Sequence, residues 1–346
     1  MIIYFIVLFL IMLWVILEKH SINRKAFWVP LLLLTFFGGF RSNLVGTDSI
    51  VYTDPFVSNF DISYFKLDYN IEVGYQIFSY LLLSLTKNYM YLFLSTSFFI
   101  VFCYLYIIRK YSRDYIFSVF LYITLGIYTF FFNGLRQGLA MAIFATATPA
   151  LIKREPIKYF LIIFIASLFH ISALLMIPFY FIVNFKVKIE IKAITIFLLS
   201  FLGSKFAIEF LSSSNDRYEH YTQAADNAGG YWTLSFYSLL GVVFYFLGSK
   251  IRNINLEYNI LEQFFICGLA LVLPLALLGT DPSGPQRLLY YFVWFVVLLL
   301  PMILNKINSF FINMLVVVFF LLYFYLTTSR FADLNPYIVN DFFRVF

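Results

Sequence analysis

Apolar runs recur along the whole chain, and no other feature of the sequence constrains the fold as strongly. Of the 346 residues, 62% are hydrophobic and 12% are charged, and the charged share is about half that of a typical soluble domain. A chain in lipid must pair each backbone group within its own segment, and these runs lack the alternation of a membrane β-barrel. We therefore predict an all-α, polytopic helical membrane protein, with residues 1–346 forming a single integral membrane domain.

A helix needs about 20 residues to cross the hydrocarbon core, so the runs predict about 11 to 13 membrane helices, including short or re-entrant segments. Segment 73–86 is short, and we expect it to be interfacial or re-entrant. The pair 157–169 and 171–184 predicts two passes, with one kinked helix as the alternative. The predicted spans are 2–17, 27–40, 90–108, 115–132, 137–152, 157–169, 171–184, 193–211, 232–248, 259–279, 288–304 and 310–327.

The distribution of charge predicts the orientation of these spans. Short turns hold most of the 24 lysines and arginines, and the positive-inside rule makes such turns cytoplasmic. The intervening loops are richer in acids, so we expect 41–72 and 212–231 to be longer external loops. The net charge of +6 therefore indicates cytoplasmic loops rather than a nucleic-acid partner. The basic turns are 18–26, 109–114, 153–158, 186–192, 250–257 and 305–309.

Several arginines lie at or near the predicted outer face. The predicted inner loops, by contrast, are rich in lysine. The planar guanidinium fork holds phosphate oxygens bidentately, and an arginine near a span is usually functional. The group predicts a pocket for a diphosphate-bearing lipid, with snorkelling or local ion pairing as the alternative for each member. The members are Arg41, Arg136, Arg217, Arg287 and Arg330.

His170, in the stretch SLFHISALL, lies between two apolar runs and is a candidate general base. The alternative is a helix-packing histidine. The chain has three scattered histidines and no Cys/His spacing, so we predict no metal site. It also lacks a DxD pair, a P-loop and a dinucleotide-binding glycine motif. We therefore expect no cofactor, and neither a metal-dependent nucleotide-sugar transferase nor an ATP-driven transporter.

An ordered set of motifs resembles the EpsG-like family of polysaccharide polymerases, which are Wzy-type enzymes. The resemblance covers nearly the whole chain, although Val73 follows Glu72 where the family often has proline. The motifs are FRSNLVGTDSIVY from Phe40, Glu72 before an aromatic-rich segment, GLRQGLAMAI at 134–143, ASLFHISALL at 166–175, SNDRYEHY, GPQRLLYYF and NPY at 335–337.

The resemblance implies a membrane glycosyltransferase of GT-C-like helical architecture in the bacterial cytoplasmic membrane. Such an enzyme polymerises undecaprenyl-diphosphate-linked oligosaccharide repeat units into O-antigen, capsule or exopolysaccharide. Donor and acceptor are both lipid-linked glycans, and the active site faces the periplasm or the outside. A chain-length regulator and a flippase of the same pathway are the implied protein partners.

The candidate site follows from these motifs. His170 is the first candidate for the base, Asp48 is the second, and Glu72 is a third. The diphosphate ligands are Arg41, Arg136, Arg217 and Arg287, and the substrate contacts are Tyr52, Glu72, Gln137, Arg330 and Tyr337.

Two other functions remain open at this stage: a lipid-linked oligosaccharide flippase or transporter, and an O-antigen ligase-type transferase. A flippase should line a path through the whole membrane with charge, whereas these arginines gather on one side. A ligase would share the arginines and the histidine.

Overall fold

The computed structural model describes residues 1–214, 230–277, 284–332 and 334–343. Over these ranges the chain is helical and forms no β-strand, apart from an isolated bridge between Arg41 and Val339. The predicted all-α class is confirmed. In chain order the helices are α1 Ile2–Ile22, α2 Trp28–Gly39, α3 Ser49–Val57, α4 Val73–Leu85, α5 Met90–Tyr111, α6 Tyr115–Thr124, α7 Phe130–Asn133, α8 Leu135–Ala145, α9 Thr148–Ile152, α10 Pro156–Ser167, α11 Ile177–Asn184, α12 Ile189–Ser214, α13 Tyr231–Leu247, α14 Ser249–Ile254, α15 Leu256–Leu277, α16 Leu289–Val293, α17 Val296–Ile307 and α18 Phe310–Leu326.

The described residues include four helices that are long and apolar enough to cross a membrane, with mean hydropathy of 2.0 to 2.4. They span Ile2–Ile22, Met90–Tyr111, Leu256–Leu277 and Phe310–Arg330. A bent pair, Pro285–Val293 and Val296–Ile307, would add a fifth span, with an angle of 43° between its halves. Seven further apolar helices of 10–17 residues are too short to pass the same test. The chain is a polytopic helical membrane protein, and the number of crossings stays a prediction.

Four predicted spans are broken, and one of them, 288–304, is divided by the bend between α16 and α17. The run 115–132 divides into α6 and α7, joined by a wide turn in which Tyr128 N bonds to Tyr122 O. The run 137–152 divides where Thr146 N and Ala147 N each bond three residues back, to the carbonyls of Ile143 and Phe144. The run 171–184 begins as a 3₁₀ turn, Ile171–Met176, and continues as α11.

Two compact units make up the fold. The first comprises the described parts of Met1–Thr148, Phe160–Leu174 and Leu304–Phe346. In it α2 packs against α1 and α5, and α5 packs against α8. At one end, Lys25 Nζ donates to Arg109 O at 2.7 Å and Tyr115 OH donates to Ala26 O. This end therefore joins two of the turns that the charge pattern predicts to be cytoplasmic.

The opposite end of the first unit is crossed by the end of the chain. We call residues 332 and 334–340 the C-terminal strap. Tyr4 OH, at the start of α1, donates to Leu334 O at 2.6 Å, and Tyr337 OH donates to Phe37 O at 2.6 Å. The backbone N–H of Asn340 bonds to Phe40 O at 2.8 Å. The strap thus binds the ends of α1 and α2 that lie away from the basic turns.

The second unit comprises the described parts of Pro149–Tyr159 and Leu175–Ile303. Its centre is α15, which contacts α11, α12, α13, α14 and α16. The Phe264 ring lies 4.6–5.8 Å from those of Phe179, Phe292 and Phe295. Arg252 holds the fully buried Glu262 through two hydrogen bonds of 2.5 and 2.9 Å. The carboxylate is therefore paired where an unpaired charge would be costly.

Candidate functional site

The segment from Val45 to Tyr52 is fixed on the first unit by hydrogen bonds to Phe132 and Asn133. Gly46 has a φ of +97°, a conformation that glycine adopts without strain. The turn brings Thr47 N to 3.1 Å from Asn133 Oδ1, and Ser49 Oγ to 2.9 Å from Phe132 O. The helix α3 starts here, so its Tyr52 is carried towards the beginning of α8.

Arg136, in the first turn of α8, is the centre of the candidate site. It is 8% exposed, and its Nη1 donates to Glu72 Oε2 at 2.9 Å. The guanidinium carbon lies 5.9 Å from the ring centre of Tyr52 and 5.7 Å from that of Tyr75. The two rings meet edge to face at 5.9 Å. The cluster therefore consists of one guanidinium, the carboxylate that it bonds to, and the rings of two tyrosines beside it.

Glu72 connects Arg136 to the segment that follows α10. Its second oxygen, Oε1, accepts the backbone N–H of Ile171 at 3.2 Å. The backbone repeats this connection, because Gly74 N and Tyr75 N both bond to Leu168 O, at 2.8 and 3.3 Å. The Leu168 carbonyl lies so close to Gly74 that a Cβ at position 74 would be 2.7 Å from Leu168 O. The start of α4 is thus docked on the end of α10.

His170 lies next to Ile171, and its Nδ1 is engaged by Ser172. The Ser172 backbone N–H donates to Nδ1 at 3.3 Å, and the Ser172 hydroxyl lies 2.7 Å from the same nitrogen. A nitrogen that accepts a backbone N–H carries no proton. The neutral ring therefore has its proton on Nε2 and acts there as a hydrogen-bond donor.

Arg41, which was predicted to bind the diphosphate, is buried inside the first unit. Its side chain has no exposed surface, and its guanidinium carbon lies 3.6 Å from the Phe93 ring centre and 4.4 Å from that of Phe132. Nη1 donates to Gly38 O at 2.7 Å. Burial lowers the pKa of Arg41 to about 10, so the group stays charged at neutral pH. Its donors face the protein, and direct contact with a bound lipid is not supported.

The other residues predicted to contact the substrate lie at several separate positions in the first unit. Asp48 is half-buried at the start of α3, and Thr47 Oγ1 donates to its Oδ1 at 3.1 Å. Gln137 is buried beside Arg136. The Tyr337 ring stacks on that of Phe37, with 4.5 Å between ring centres, and the Tyr337 hydroxyl donates to Phe37 O. Arg330 is exposed at the end of the helical segment that includes α18.

The structure describes one of the two remaining arginines that were predicted to bind the diphosphate. Arg287 is half-buried in the turn Pro285–Leu288 of the second unit. Arg217 lies outside the described residues. The structure thus brings Tyr52, Glu72 and Arg136 into one cluster. His170 immediately precedes Ile171, whose backbone N–H bonds to Glu72.

Sequence reasoning missed two residues in this region. Tyr75 lies three residues after Glu72, a spacing that puts both on one side of a helix start. The sequence pattern could therefore have predicted that Tyr75 lies near Glu72. Asn133 just precedes α8, and nothing local indicates that its amide bonds to segments far away in the sequence. Among the described residues, no group of three His, Cys, Asp or Glu side chains is placed to hold a metal ion.

The comparison with protein-family models identifies a family for this chain. The model described as the EpsG family covers residues 24–339. No curated protein matches the chain. No solved structure matches it either.

Proposed function

Because this chain belongs to the EpsG family, we propose that it is a membrane glycosyltransferase that polymerises lipid-linked oligosaccharide repeat units. The substrates are undecaprenyl-diphosphate-linked glycans, and the product is a surface polysaccharide such as O-antigen, capsule or exopolysaccharide. The observation that carries the proposal is the cluster in which Arg136 bonds to Glu72 beside two tyrosines. It combines a phosphate-binding fork, a carboxylate and aromatic faces suited to sugars.

Arg136 binds the diphosphate of the donor lipid in this proposal. At rest its positive charge is balanced by Glu72, and both side chains are about 10% exposed. A diphosphate brings more negative charge than one carboxylate and offers two oxygens to the planar fork, so it competes with Glu72 for the guanidinium. The tyrosines Tyr52 and Tyr75 flank the group, and their hydroxyls and faces contact the first sugar.

The reaction forms one glycosidic bond and breaks one sugar–phosphate bond. A hydroxyl oxygen at the non-reducing end of the acceptor unit attacks the anomeric carbon of the donor glycan. The bond from that carbon to the phosphate oxygen breaks, and its electron pair leaves with the lipid diphosphate. Arg136 stabilises the charge that develops on the leaving group. The hydroxyl proton passes to a base of the enzyme.

Glu72 is our first candidate for that base. At rest Arg136 and the Ile171 N–H occupy the two carboxylate oxygens. Transfer of Arg136 to the diphosphate frees Oε2 to accept the proton. His170 would have to leave Ser172 to present Nδ1, so the contacts favour it as a hydrogen-bond donor through Nε2. Asp48 remains the alternative carboxylate.

The location follows from the same reasoning. The cluster lies at the end of the first unit opposite the turns around Lys25 and Arg109. If those turns are cytoplasmic, the cluster faces the periplasm or the outside of the bacterial cytoplasmic membrane. A flippase that delivers the repeat unit to that side and a chain-length regulator are the protein partners in this proposal.

A deletion strain tests the function in the cell. Loss of a polymerase leaves a single repeat unit on the final acceptor, because assembly and attachment of the unit continue. Expression of the wild-type chain should restore long glycans, and expression of Arg136→Ala should not. Complete loss of surface glycan, without single units, would instead favour a flippase or a ligase.

A further inference from the structure

Asn133 makes two hydrogen bonds that join three segments of the first unit. It is the last residue of α7 and lies three residues before Arg136. Its Oδ1 accepts the Thr47 N–H at 3.1 Å, and its Nδ2 donates to Ala332 O, in the C-terminal strap, at 2.7 Å. A side-chain amide carries both an acceptor and a donor, so one residue makes both bonds.

The contact with the loop is shaped from both sides. A Cβ on Gly46 would lie 2.6 Å from Asn133 Oδ1 and 2.4 Å from Phe132 O. Backbone thus lies directly on backbone, and any side chain at position 46 would separate the two segments. The hydroxyl of Ser49 lies 2.9 Å from Phe132 O and continues the same contact.

We propose that Asn133 is a positioning residue that sets the distance between Tyr52 and Arg136. Tyr52 follows the loop that Asn133 holds, and Arg136 follows Asn133 itself, so the amide fixes both partners of the 5.9 Å contact. Its catalytic consequence rests on the function proposed above, whereas its effect on the loop does not. Asn133 acts through these two residues and has no direct part in the chemistry.

Cysteine labelling tests whether Asn133 keeps the loop closed. Val45 is fully buried, and the neighbouring Leu44 is 58% exposed. In a chain whose two native cysteines are replaced by alanine, Val45→Cys reacts with a thiol reagent only when the loop opens, and Leu44→Cys reacts at all times. Loss of both amide bonds in Asn133→Ala should raise the Val45→Cys labelling rate roughly five- to tenfold, since each hydrogen bond contributes to closure. The Leu44→Cys rate should not change.

Two further variants separate the loop from the strap. Asn133→Asp keeps the acceptor for the Thr47 N–H and loses the donor to Ala332 O, so its labelling rate should lie between those of wild type and Asn133→Ala. Gly46→Ala opens the same contact from the loop side and should raise labelling as well. Asn184→Ala, which loses one local bond to Tyr180 O in the second unit, is the matched control and should behave as wild type. Gel filtration identifies any variant that fails to fold.

The catalytic readout is made on the same variants with a synthetic undecaprenyl-diphosphate-linked repeat unit. Asn133→Ala should lower the elongation rate by about tenfold, and Asn133→Asp by less. If Val45→Cys labelling is unchanged in Asn133→Ala, the positioning role is wrong whatever the activity, and a rise in Gly46→Ala would then show that the assay does detect an open loop. If labelling rises as expected while the wild-type protein elongates nothing, the positioning role stands and the proposed function fails.

Discussion

At the scale of single residues, the pairing of Arg136 with Glu72 gives the site its character. Both side chains are about 10% exposed, so neither charge is well solvated, and each is balanced by the other. Arg41 is buried more deeply, among aromatic rings, and donates to the protein. Two arginines of one predicted group therefore differ in their contacts, because one bonds to a carboxylate and the other to a main-chain carbonyl.

Replacement of Arg136 tests the bidentate contact. Arg136→Lys keeps the charge and loses the planar fork, so we expect elongation to fall by about 100-fold or more, nearly as far as in Arg136→Ala. The measurement is the initial rate with a lipid-linked repeat unit in detergent. Arg154→Lys, at an exposed position, is the matched control and should retain the wild-type rate. Normal elongation by Arg136→Lys would show that a point charge is sufficient.

Glu72→Gln tests the base. The amide keeps the shape and the acceptor for the Ile171 N–H but cannot take up a proton. Elongation should fall by about 10²–10⁴, the usual contribution of a general base, while binding of undecaprenyl diphosphate is retained. Glu155→Gln, which removes a surface ion pair with Lys158, serves as control. His170→Ala should cost less. If Glu72→Gln elongates within about tenfold of wild type, the proton goes elsewhere, and Asp48→Asn is the next variant.

At the scale of elements, the docking of α4 on the end of α10 brings Glu72 into the site. Gly74→Ala would push a methyl group against Leu168 O, and we expect it to lower the free energy of unfolding by about 1–3 kcal/mol, as overpacking does. The thermal midpoint in detergent measures this. Gly203→Ala is the matched control, since nothing lies within 4 Å of a Cβ at that position. Equal midpoints for the two variants would argue against tight docking.

Much of the element structure could be predicted, because apolar runs and basic turns are local signals. The helix Ser49–Val57 was not, since it is short, contains Pro55 and lies in a polar loop. The burial of Arg41 was also beyond reach, because the rings that enclose it, Phe93 and Phe132, are distant in sequence. The link from Glu72 to Ile171 depends on tertiary docking in the same way.

At the scale of the whole molecule, the prediction to test is which loops face outwards. The charge pattern predicts that the turns 109–114, 153–158 and 186–192 are cytoplasmic and that the loop 212–231 is external. In intact cells expressing a chain without native cysteines, an impermeant thiol reagent should label Leu44→Cys and should not reach cysteines at 153–158. Permeabilised cells should give labelling of both. Labelling at 153–158 from outside would reverse the orientation.

The most direct measurement reconstitutes the purified chain in vesicles with an undecaprenyl-diphosphate-linked repeat unit and EDTA. The account predicts a ladder of glycans that grows by whole repeat units, with one undecaprenyl diphosphate released per new bond. EDTA should not stop it, because arginine stabilises the leaving group, and Arg136→Ala should abolish it. Movement of single units across the bilayer without a new glycosidic bond would contradict the account, and so would transfer of single units only to an acceptor that is not lipid-linked.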